Sequence, residues 1–124
     1  MTALLTHYIY IIENNRYAMG TSVQRSSAQT NFSQRGASFN IPGMHVDGMD
    51  VRAVKSAGDH AVEWVRGGNG PIILEMETYR YRGHSMSDAQ HYRTKEEVAK
   101  MQDEDPIAYV LDIIYKKNYA TDTS

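Results

Sequence analysis

The sequence contains no cysteine. This absence excludes disulfide bonds, thiolate zinc sites and thiol nucleophiles. The sequence also has no large excess of one charge, because it contains 13 Lys and Arg and 15 Asp and Glu, which give a formal charge of −2. That balance gives no electrostatic reason to expect binding to nucleic acid or to an anionic membrane. Long hydrophobic runs are missing too, since the apolar stretch from Tyr8 to Ile12 is too short for a signal peptide or a membrane helix.

The composition that remains is that of a globular protein. Hydrophobic residues make up 41% and charged residues 23% of the 124 positions. A chain of this length can bury roughly 65% of its unfolded surface in one domain. We find no internal repeat and no linker, and therefore expect residues 1–124 to belong to a single domain.

Two short apolar runs predict strands buried on both faces of a parallel sheet. They extend from Tyr8 to Ile12 and from Pro71 to Glu77. Helical spacing of apolar residues begins between them after Asp50, a residue suited to capping a helix, and stops at Gly67 and Gly68. A strand, a helix and a strand in this order predict part of a doubly wound α/β fold.

The helix after Asp50 has valines at helical spacing, and we expect Val51, Val54, Val62 and Val65 to form its buried face. The stretch between the first strand and this helix shows no sustained period from Gly20 to Gly48. Its richness in Ser, Thr, Gln and Asn predicts a long loop, and such loops inside compact domains are usually functional or mobile.

Two further helices are indicated near the carboxyl terminus. Thr94 and Glu97 have the spacing of a capping box, which opens a short helix. Asp105 and Pro106 suit the first positions of another helix. Apolar residues follow at helical spacing: Ile107, Val110, Leu111 and Ile114.

Polar residues follow the first predicted strand, where ligands bind in doubly wound sheets. Asn14 and Asn15 offer neutral oxygens there, and Mg²⁺ accepts carbonyl oxygens beside carboxylates and phosphates. Asparagine is also favoured in turns, so a simple turn is the alternative. Glu75 and Glu77 alternate on the second strand, where we expect paired or surface carboxylates.

A second polar cluster follows the second strand. Arg80, Arg82 and His84 surround Gly83, a pattern suited to a loop that closes over an anionic ligand. A histidine there can act as a general acid near neutral pH. A solvated basic loop is the alternative. A zinc site is also conceivable from the spacing of His84 with Asp88 and His91, but no fourth ligand is apparent.

Several ordered stretches together carry a family resemblance. They are Glu13–Ser22, Ile41–Gly43, Val46–Asp50, Gly70–Pro71, Thr78–Asp88 and Tyr92–Arg93. In this order they resemble the α subunit of the pyruvate dehydrogenase E1 component, a thiamine-diphosphate enzyme. The likeness runs from about Ile9 to about Ile107 and implies a thiamine-diphosphate-binding α/β fold with a doubly wound parallel sheet.

The resemblance implies thiamine diphosphate and Mg²⁺ as cofactors and assigns residues to them. Asn15 resembles the side-chain Mg²⁺ ligand, Tyr17 resembles the residue whose main-chain oxygen binds the metal, and Gly20 belongs to the same cofactor-binding segment. His84 resembles the active-site histidine that helps to bind the 2-oxoacid or its adduct and to orient the lipoyl group.

The resemblance also implies a phosphorylation loop. Ser85 matches the main phosphorylation position of the mitochondrial members, and Ser22 matches another. Phosphate at Ser85 would add about two negative charges beside the cofactor and disorder the loop. The supporting residues of this loop are expected to be Arg80, Arg82, Ser87 and Asp88. Arg82 stands where animal members have histidine. The loop between Asp88 and Tyr92 is shorter than in the animal members and has His91 where their second loop serine falls, which indicates a bacterial-type member.

The family's cofactor motif opens with Gly-Asp-Gly, and no such sequence precedes Asn14 here. We therefore expect this chain to be the carboxyl-terminal part of an α subunit, truncated at its amino terminus and inactive alone. The complete enzyme would pair with an E1 β subunit as an α2β2 heterotetramer and act on the lipoyl domain of E2. We expect a bacterial member in the cytoplasm and a eukaryotic one in the mitochondrial matrix, with neither nucleic acid nor membrane as a partner.

Other functions remain open at this point. The implied reaction is decarboxylation of pyruvate followed by reductive acetylation of the lipoyl group. A branched-chain 2-oxoacid or acetoin dehydrogenase α subunit would share the fold and the cofactor. A non-catalytic remnant that only occupies an α-subunit interface is a further alternative. A small anion-binding module would use the loop from Arg80 to His84 but would leave the other matches as coincidence.

Overall fold

The computed structural model describes residues 7–120, in two compact units that divide after Arg80. The prediction of one domain over residues 1–124 extends beyond the described residues and stays a prediction. In chain order, the elements of the first unit are β1 (Ile9–Asn14), β2 (Tyr17–Ala18), β3 (Thr21–Ser22), α1 (Val23–Ser26), a 3₁₀ segment (Phe32–Phe39), β4 (Gly43–Asp47), α2 (Val51–Arg66) and β5 (Ile72–Glu77). The second unit holds α3 (Lys95–Asp103) and α4 (Pro106–Lys116).

A parallel sheet of three strands, in the order β1-β5-β4, forms the centre of the first unit. The central strand β5 places Glu77 opposite Asn14 of β1 and opposite Asp47 of β4. The strands therefore end together at their carboxyl ends, the edge where α/β sheets bind ligands. The prediction of an α/β fold with a parallel sheet is confirmed.

Helix α2 covers one face of this sheet and makes the core. Ala61 and Val65 pack with Ile72 and Leu74 of β5. The helix begins as predicted, because the Asp50 carboxylate accepts a hydrogen bond from the Arg52 N–H at 2.9 Å.

The predicted buried face of α2 is only partly right. Val65 is buried, but Val51 is 54% exposed, and Val54 and Val62 are half-buried. The other fully buried positions of the helix are alanines, Ala57 and Ala61. The face that packs on the sheet is therefore slightly rotated from the one predicted from the valines. It contains alanines because small side chains let a helix approach a sheet closely.

The prediction that β1 is buried on both faces is wrong. Tyr10 is 47% and Ile11 is 60% exposed, because β1 is an edge strand that pairs only with β5 in the described part of the chain. The prediction holds for β5, where Ile72 to Glu75 are all buried. A continuous apolar run fits both positions, so its pattern alone does not separate an edge strand from a central one.

The long loop predicted between Gly20 and Gly48 is also wrong. This stretch contains the 3₁₀ segment and strand β4, whose Val46 is buried. Strand β4 lies very close to the 3₁₀ segment, since a Cβ on Gly43 would lie 1.8 Å from the Ser33 carbonyl oxygen. This close backbone contact requires glycine at position 43. Strand β4 is short and mixes Gly, Met and His, so its sequence shows no alternation that would predict a strand.

The two helices of the second unit begin where the sequence predicts them. The Thr94 hydroxyl accepts from the Glu97 N–H at 3.1 Å, and one Asp105 carboxylate oxygen accepts from the Ile107 and Ala108 N–H groups at 2.8 and 3.3 Å. The apolar residues of α4 are not enclosed within the described chain, since Ile107 is 71% exposed.

Between residues 7 and 120, the structure has no helix with the length and apolar character needed to cross a membrane.

Candidate functional site

The paired asparagines form a tight turn at the carboxyl end of β1. The Asn14 side-chain oxygen accepts from the Arg16 N–H at 3.0 Å, and the Asn15 side-chain oxygen accepts from the Tyr17 N–H at 3.3 Å. Arg16 sits in the left-handed region, with φ of 70°. The alternative prediction, that the paired asparagines form a turn, is therefore confirmed for the backbone. It is compatible with a ligand role, because a carbonyl oxygen has two lone pairs and the turn bond of Asn15 uses one.

A buried carboxylate lies beneath this turn. Glu75 of β5 is fully buried, and its two oxygens accept from the Asn14 side-chain amide at 2.7 Å and from the Ser33 N–H at 2.8 Å. The expectation of a paired carboxylate is confirmed for Glu75. Its partner could not be named from the sequence, because Asn14 and Glu75 are 61 residues apart and meet only through strand pairing.

A second carboxylate on the same face of β5 holds the turn from outside. Glu77 forms an ion pair with Arg16 at 2.8 Å and contacts the His45 ring at 3.1 Å. The three side chains are between 33% and 47% exposed, so each pair contributes less than about 1 kcal/mol. His45 had no evident partner in the sequence, because it lies on β4, the strand that the pattern did not reveal.

These groups line a polar cavity of about 490 Å³. Its walls are formed at the strand ends by Asn14, Arg16, His45, Glu75 and Glu77, and on the other side by residues between Val23 and Asn31. Among the groups that line it, Arg16 forms an ion pair with Glu77. Glu75 accepts hydrogen bonds from the Asn14 amide and the Ser33 N–H instead of pairing with a cation.

The turn offers a hard cation oxygen ligands of the right kind. Mg²⁺ prefers an octahedron of oxygens, and the Asn15 side-chain oxygen and the Tyr17 main-chain carbonyl are neutral oxygens on one turn. Two neutral oxygens are too few to hold Mg²⁺ by themselves. Within residues 7–120 no three His, Asp or Glu side chains are grouped to hold a metal ion. The donor set fits Mg²⁺ as part of a larger shell.

The chain leaves the turn through a short hairpin made of β2 and β3. Gly20 lies at its tip beside Met19, which has φ of 54°. Arg80 donates to the Met19 carbonyl oxygen at 3.2 Å and so ties the end of β5 to this hairpin. Ser22 ends β3, and its carbonyl oxygen accepts from the Ser26 hydroxyl at 3.0 Å.

In the second unit, Asp88 organises the loop that carries His84. Its carboxylate accepts from the His84 N–H at 2.7 Å, from the Tyr92 hydroxyl at 2.7 Å and from the Gln90 N–H at 2.9 Å. Gly83 leaves room for this carboxylate, because a Cβ there would lie 2.9 Å from the Asp88 Cβ. The sequence marked Asp88 as a supporting residue but gave no sign that it bonds both ends of the loop.

The His84 side chain itself is exposed, as are Arg82 and Ser85. The Ser85 and Ser87 hydroxyls share a hydrogen bond of 3.0 Å. His84 and Asp88 do not form a metal centre with His91, since the described residues contain no suitable group of three. The loop thus presents an imidazole and two hydroxyls at the surface of its unit.

Electrostatics also distinguish the start of the second unit. Burial, and then the nearby Asp105 carboxylate, raise the pKa of Tyr81 above the ordinary tyrosine value. Arg93 donates to the Tyr81 carbonyl oxygen at 2.9 Å. The raised pKa therefore keeps Tyr81 neutral further into the alkaline range than an ordinary tyrosine.

Comparison with known proteins supports the resemblance seen in the sequence. The family described as dehydrogenase E1 component matches residues 2–124. The pyruvate dehydrogenase E1 component subunit alpha of Rhizobium meliloti is 70% identical over 115 residues, which are 92% of this chain and 33% of that protein. The Zymomonas mobilis subunit of the same name is 61% identical over 100 residues, 80% of this chain and 28% of that protein.

A eukaryotic relative shows the same similarity. The mitochondrial pyruvate dehydrogenase E1 component subunit alpha of Dictyostelium discoideum is 56% identical over 116 residues, 92% of this chain and 30% of that protein. The chain thus spans about a third of the length of the curated relatives it matches. Because the family match covers nearly every residue, the chain belongs to the dehydrogenase E1 component family.

Proposed function

We propose that this chain serves in the α subunit of a pyruvate dehydrogenase E1 component. The proposed reaction is decarboxylation of pyruvate, followed by reductive acetylation of the lipoyl group of E2. The observation that carries the proposal is the 70% identity to the Rhizobium meliloti α subunit over 115 residues. Because the match covers a third of that subunit, the activity requires a longer α subunit than the segment aligned here.

The cofactors of the proposed enzyme are thiamine diphosphate and Mg²⁺. When bound, thiamine diphosphate supplies the carbanion chemistry that the protein's own groups lack. Asn15 would give Mg²⁺ its side-chain oxygen and Tyr17 its main-chain oxygen, with Gly20 in the same cofactor-binding segment. The turn at the strand ends suits this role, because ligands of doubly wound sheets bind at that edge. The sheet would be part of the doubly wound fold that binds thiamine diphosphate.

His84 is the proposed catalytic residue. Its imidazole can donate or accept a proton at a ring nitrogen near neutral pH, toward the carboxylate of the 2-oxoacid or its adduct. The hydrogen bond from the His84 N–H to Asp88 fixes the backbone that carries the ring. Arg80, Arg82 and Ser87 would support the loop, the arginines by offsetting the negative charge of substrate and diphosphate.

Ser85 and Ser22 are the proposed sites of phosphorylation if the protein is regulated in this way. Ser85 is exposed, follows His84 directly and shares a hydrogen bond with Ser87. A phosphate there would place about two negative charges near the Asp88 carboxylate. Repulsion between the two would loosen the loop and so withdraw His84 from the substrate.

The proposed partners are an E1 β subunit, in an α2β2 heterotetramer, and the lipoyl domain of E2. The proposed location is the bacterial cytoplasm, or the mitochondrial matrix if the source is a eukaryote.

The test is to express the intact α subunit that carries this sequence with its β subunit. Pyruvate decarboxylation and acetylation of a lipoyl domain are measured with and without thiamine diphosphate and Mg²⁺. We expect both activities with pyruvate and much lower rates with branched-chain 2-oxoacids and with acetoin. Greater turnover of one of those substrates would reassign the substrate, and no turnover of any would overturn the enzymatic function.

A further inference from the structure

Glu75 places a carboxyl group in the interior of the first unit. It is fully buried on the central strand, where Ile72 and Leu74 belong to the hydrophobic core. Burial of a carboxylate is unfavourable unless hydrogen bonds replace its water. Glu75 has two such bonds, one to each oxygen, and both donors belong to segments more than 40 residues away.

Each donor links Glu75 to a different part of the first unit. The Ser33 N–H binds Oε2, which anchors the 3₁₀ segment to the sheet. The Asn14 amide nitrogen binds Oε1, which fixes the orientation of that side chain. With its nitrogen directed at Glu75, Asn14 must turn its oxygen the other way, and this oxygen accepts from the Arg16 N–H.

The bond to Arg16 holds an unusual backbone conformation. A non-glycine residue at φ of 70° persists only where its surroundings impose that conformation. Arg16 lies between Asn15 and Tyr17, so its conformation decides how the oxygens on either side are directed. A continuous series of hydrogen bonds therefore runs from the Glu75 carboxylate through Asn14 to the turn.

We propose that Glu75 is the positioning residue of this turn. Through Asn14 it directs the Asn15 side-chain oxygen and the Tyr17 carbonyl oxygen toward a shared Mg²⁺, without contacting the metal itself. The inference rests on the proposed function, because it takes those two oxygens to be metal ligands. Residues that orient metal ligands in this way commonly change metal affinity by about 10- to 100-fold when they are replaced.

The first test replaces Glu75→Gln in the intact α subunit assembled with β. The new amide keeps the shape but faces two N–H donors with only one acceptor oxygen, so one bond is lost. We expect about tenfold weaker Mg²⁺ binding in the presence of saturating thiamine diphosphate. Calorimetric titration with Mg²⁺ gives the affinity independently of turnover, and the unfolding temperature without Mg²⁺ reports stability.

A matched control and a rescue separate positioning from stability. Glu63→Gln makes the same chemical change on the exposed surface of α2, and Mg²⁺ affinity should change less than about twofold. The double variant Glu75→Gln with Asn14→Asp exchanges donor and acceptor between the two positions. Every hydrogen bond of the series can then form again, and we expect Mg²⁺ affinity to return to within about threefold of the original.

The outcomes are distinct. Unchanged affinity in Glu75→Gln would overturn the inference, as would a double variant that still binds Mg²⁺ weakly. If Glu75→Gln fails to fold, the double variant is compared directly with the original enzyme. Weak Mg²⁺ binding by a folded double variant would then overturn the inference. An unaltered enzyme that shows no Mg²⁺-dependent cofactor binding would overturn the proposed function itself. If the unaltered enzyme binds Mg²⁺ normally and only Asn15→Ala lowers the affinity, the proposed function is retained and the role of Glu75 is rejected.

Discussion

At the scale of single residues, Asn15 combines an observed role in the turn with a proposed role in metal binding. Asn15 uses one lone pair of its oxygen to accept from the Tyr17 N–H. The second lone pair is the basis of the proposed metal role. The two roles predict different effects for substitutions that remove the oxygen and substitutions that keep it.

We predict that Asn15→Ala in the intact enzyme weakens Mg²⁺ binding by at least about tenfold, since a metal ligand is lost. Asn15→Asp retains a side-chain oxygen and should bind Mg²⁺ more tightly than Asn15→Ala. Calorimetric titration at saturating thiamine diphosphate measures both. Equal affinities in the alanine variant and the original enzyme would remove Asn15 from the metal shell.

His84 allows a prediction about the chemistry of the loop. His84→Ala should preserve folding and Mg²⁺-cofactor binding but lower lipoyl acetylation by about 10²- to 10⁴-fold, as expected for loss of an acid–base group. Its hydrogen bond to Asp88 comes from the backbone and survives the substitution. His91→Ala, an exposed histidine of the same loop, is the control. Full turnover in His84→Ala would contradict the assignment.

Tyr81 allows a prediction about pH. Its pKa is raised by burial and by Asp105, so the folded state favours the neutral phenol. This contribution to stability is fully present below the ordinary tyrosine pKa of 10.0 and is lost as the pH rises through the raised value. The unfolding temperature should therefore fall more steeply above pH 10 in the original protein than in Tyr81→Phe. Tyr119→Phe, at a position that is 72% exposed, should keep the original pH profile.

At the scale of elements, the helix starts can be predicted from local sequence more readily than the strands. Helices α2, α3 and α4 begin at Asp50, Thr94 and Asp105, and each cap is a hydrogen bond across two or three residues. Such local signals can be seen in a sequence. Strand β4 has no comparable signal, because its position depends on a contact between Gly43 and Ser33.

The glycines of β4 and α2 give a matched pair of variants at this scale. Gly43→Ala would force a Cβ to within 1.8 Å of the Ser33 carbonyl oxygen, so we expect a loss of more than about 2 kcal/mol in unfolding free energy. Gly58→Ala in α2 meets no atom within 4 Å and should stabilise the helix by up to about 1 kcal/mol. Denaturant unfolding of the intact subunit compares them. Equal stabilities would show that β4 does not pack on the 3₁₀ segment as described.

At the scale of the whole molecule, several large apolar side chains are exposed in the part of the chain that the structure describes. Tyr10 and Ile11 of the edge strand and Ile107 of α4 are exposed in the described structure. The aligned segment spans about a third of each relative, so the remaining oxygens for the proposed Mg²⁺ site would come from other parts of the enzyme. The proposed site is therefore a property of the assembled protein.

This view predicts how a polypeptide of these 124 residues behaves in isolation. It should show no measurable pyruvate decarboxylation and only weak Mg²⁺ binding, since two neutral oxygens are an insufficient shell. Calorimetric titration with Mg²⁺ and an assay for released CO₂ check this, with the assembled enzyme as the positive control. Turnover by the isolated polypeptide would contradict the need for further ligands.

The sequence by itself determined the parallel α/β class, the buried strand β5, the three helix starts and the family resemblance, because these depend on local periodicity, caps and ordered motifs. Tertiary structure decided the rest. It placed β1 at an edge, made β4 a strand, and brought Glu75 to Asn14 across 61 residues. The physical reason is the same in each case. Strand order and the pairing of buried polar groups depend on neighbours that are distant along the chain, and no local pattern encodes them.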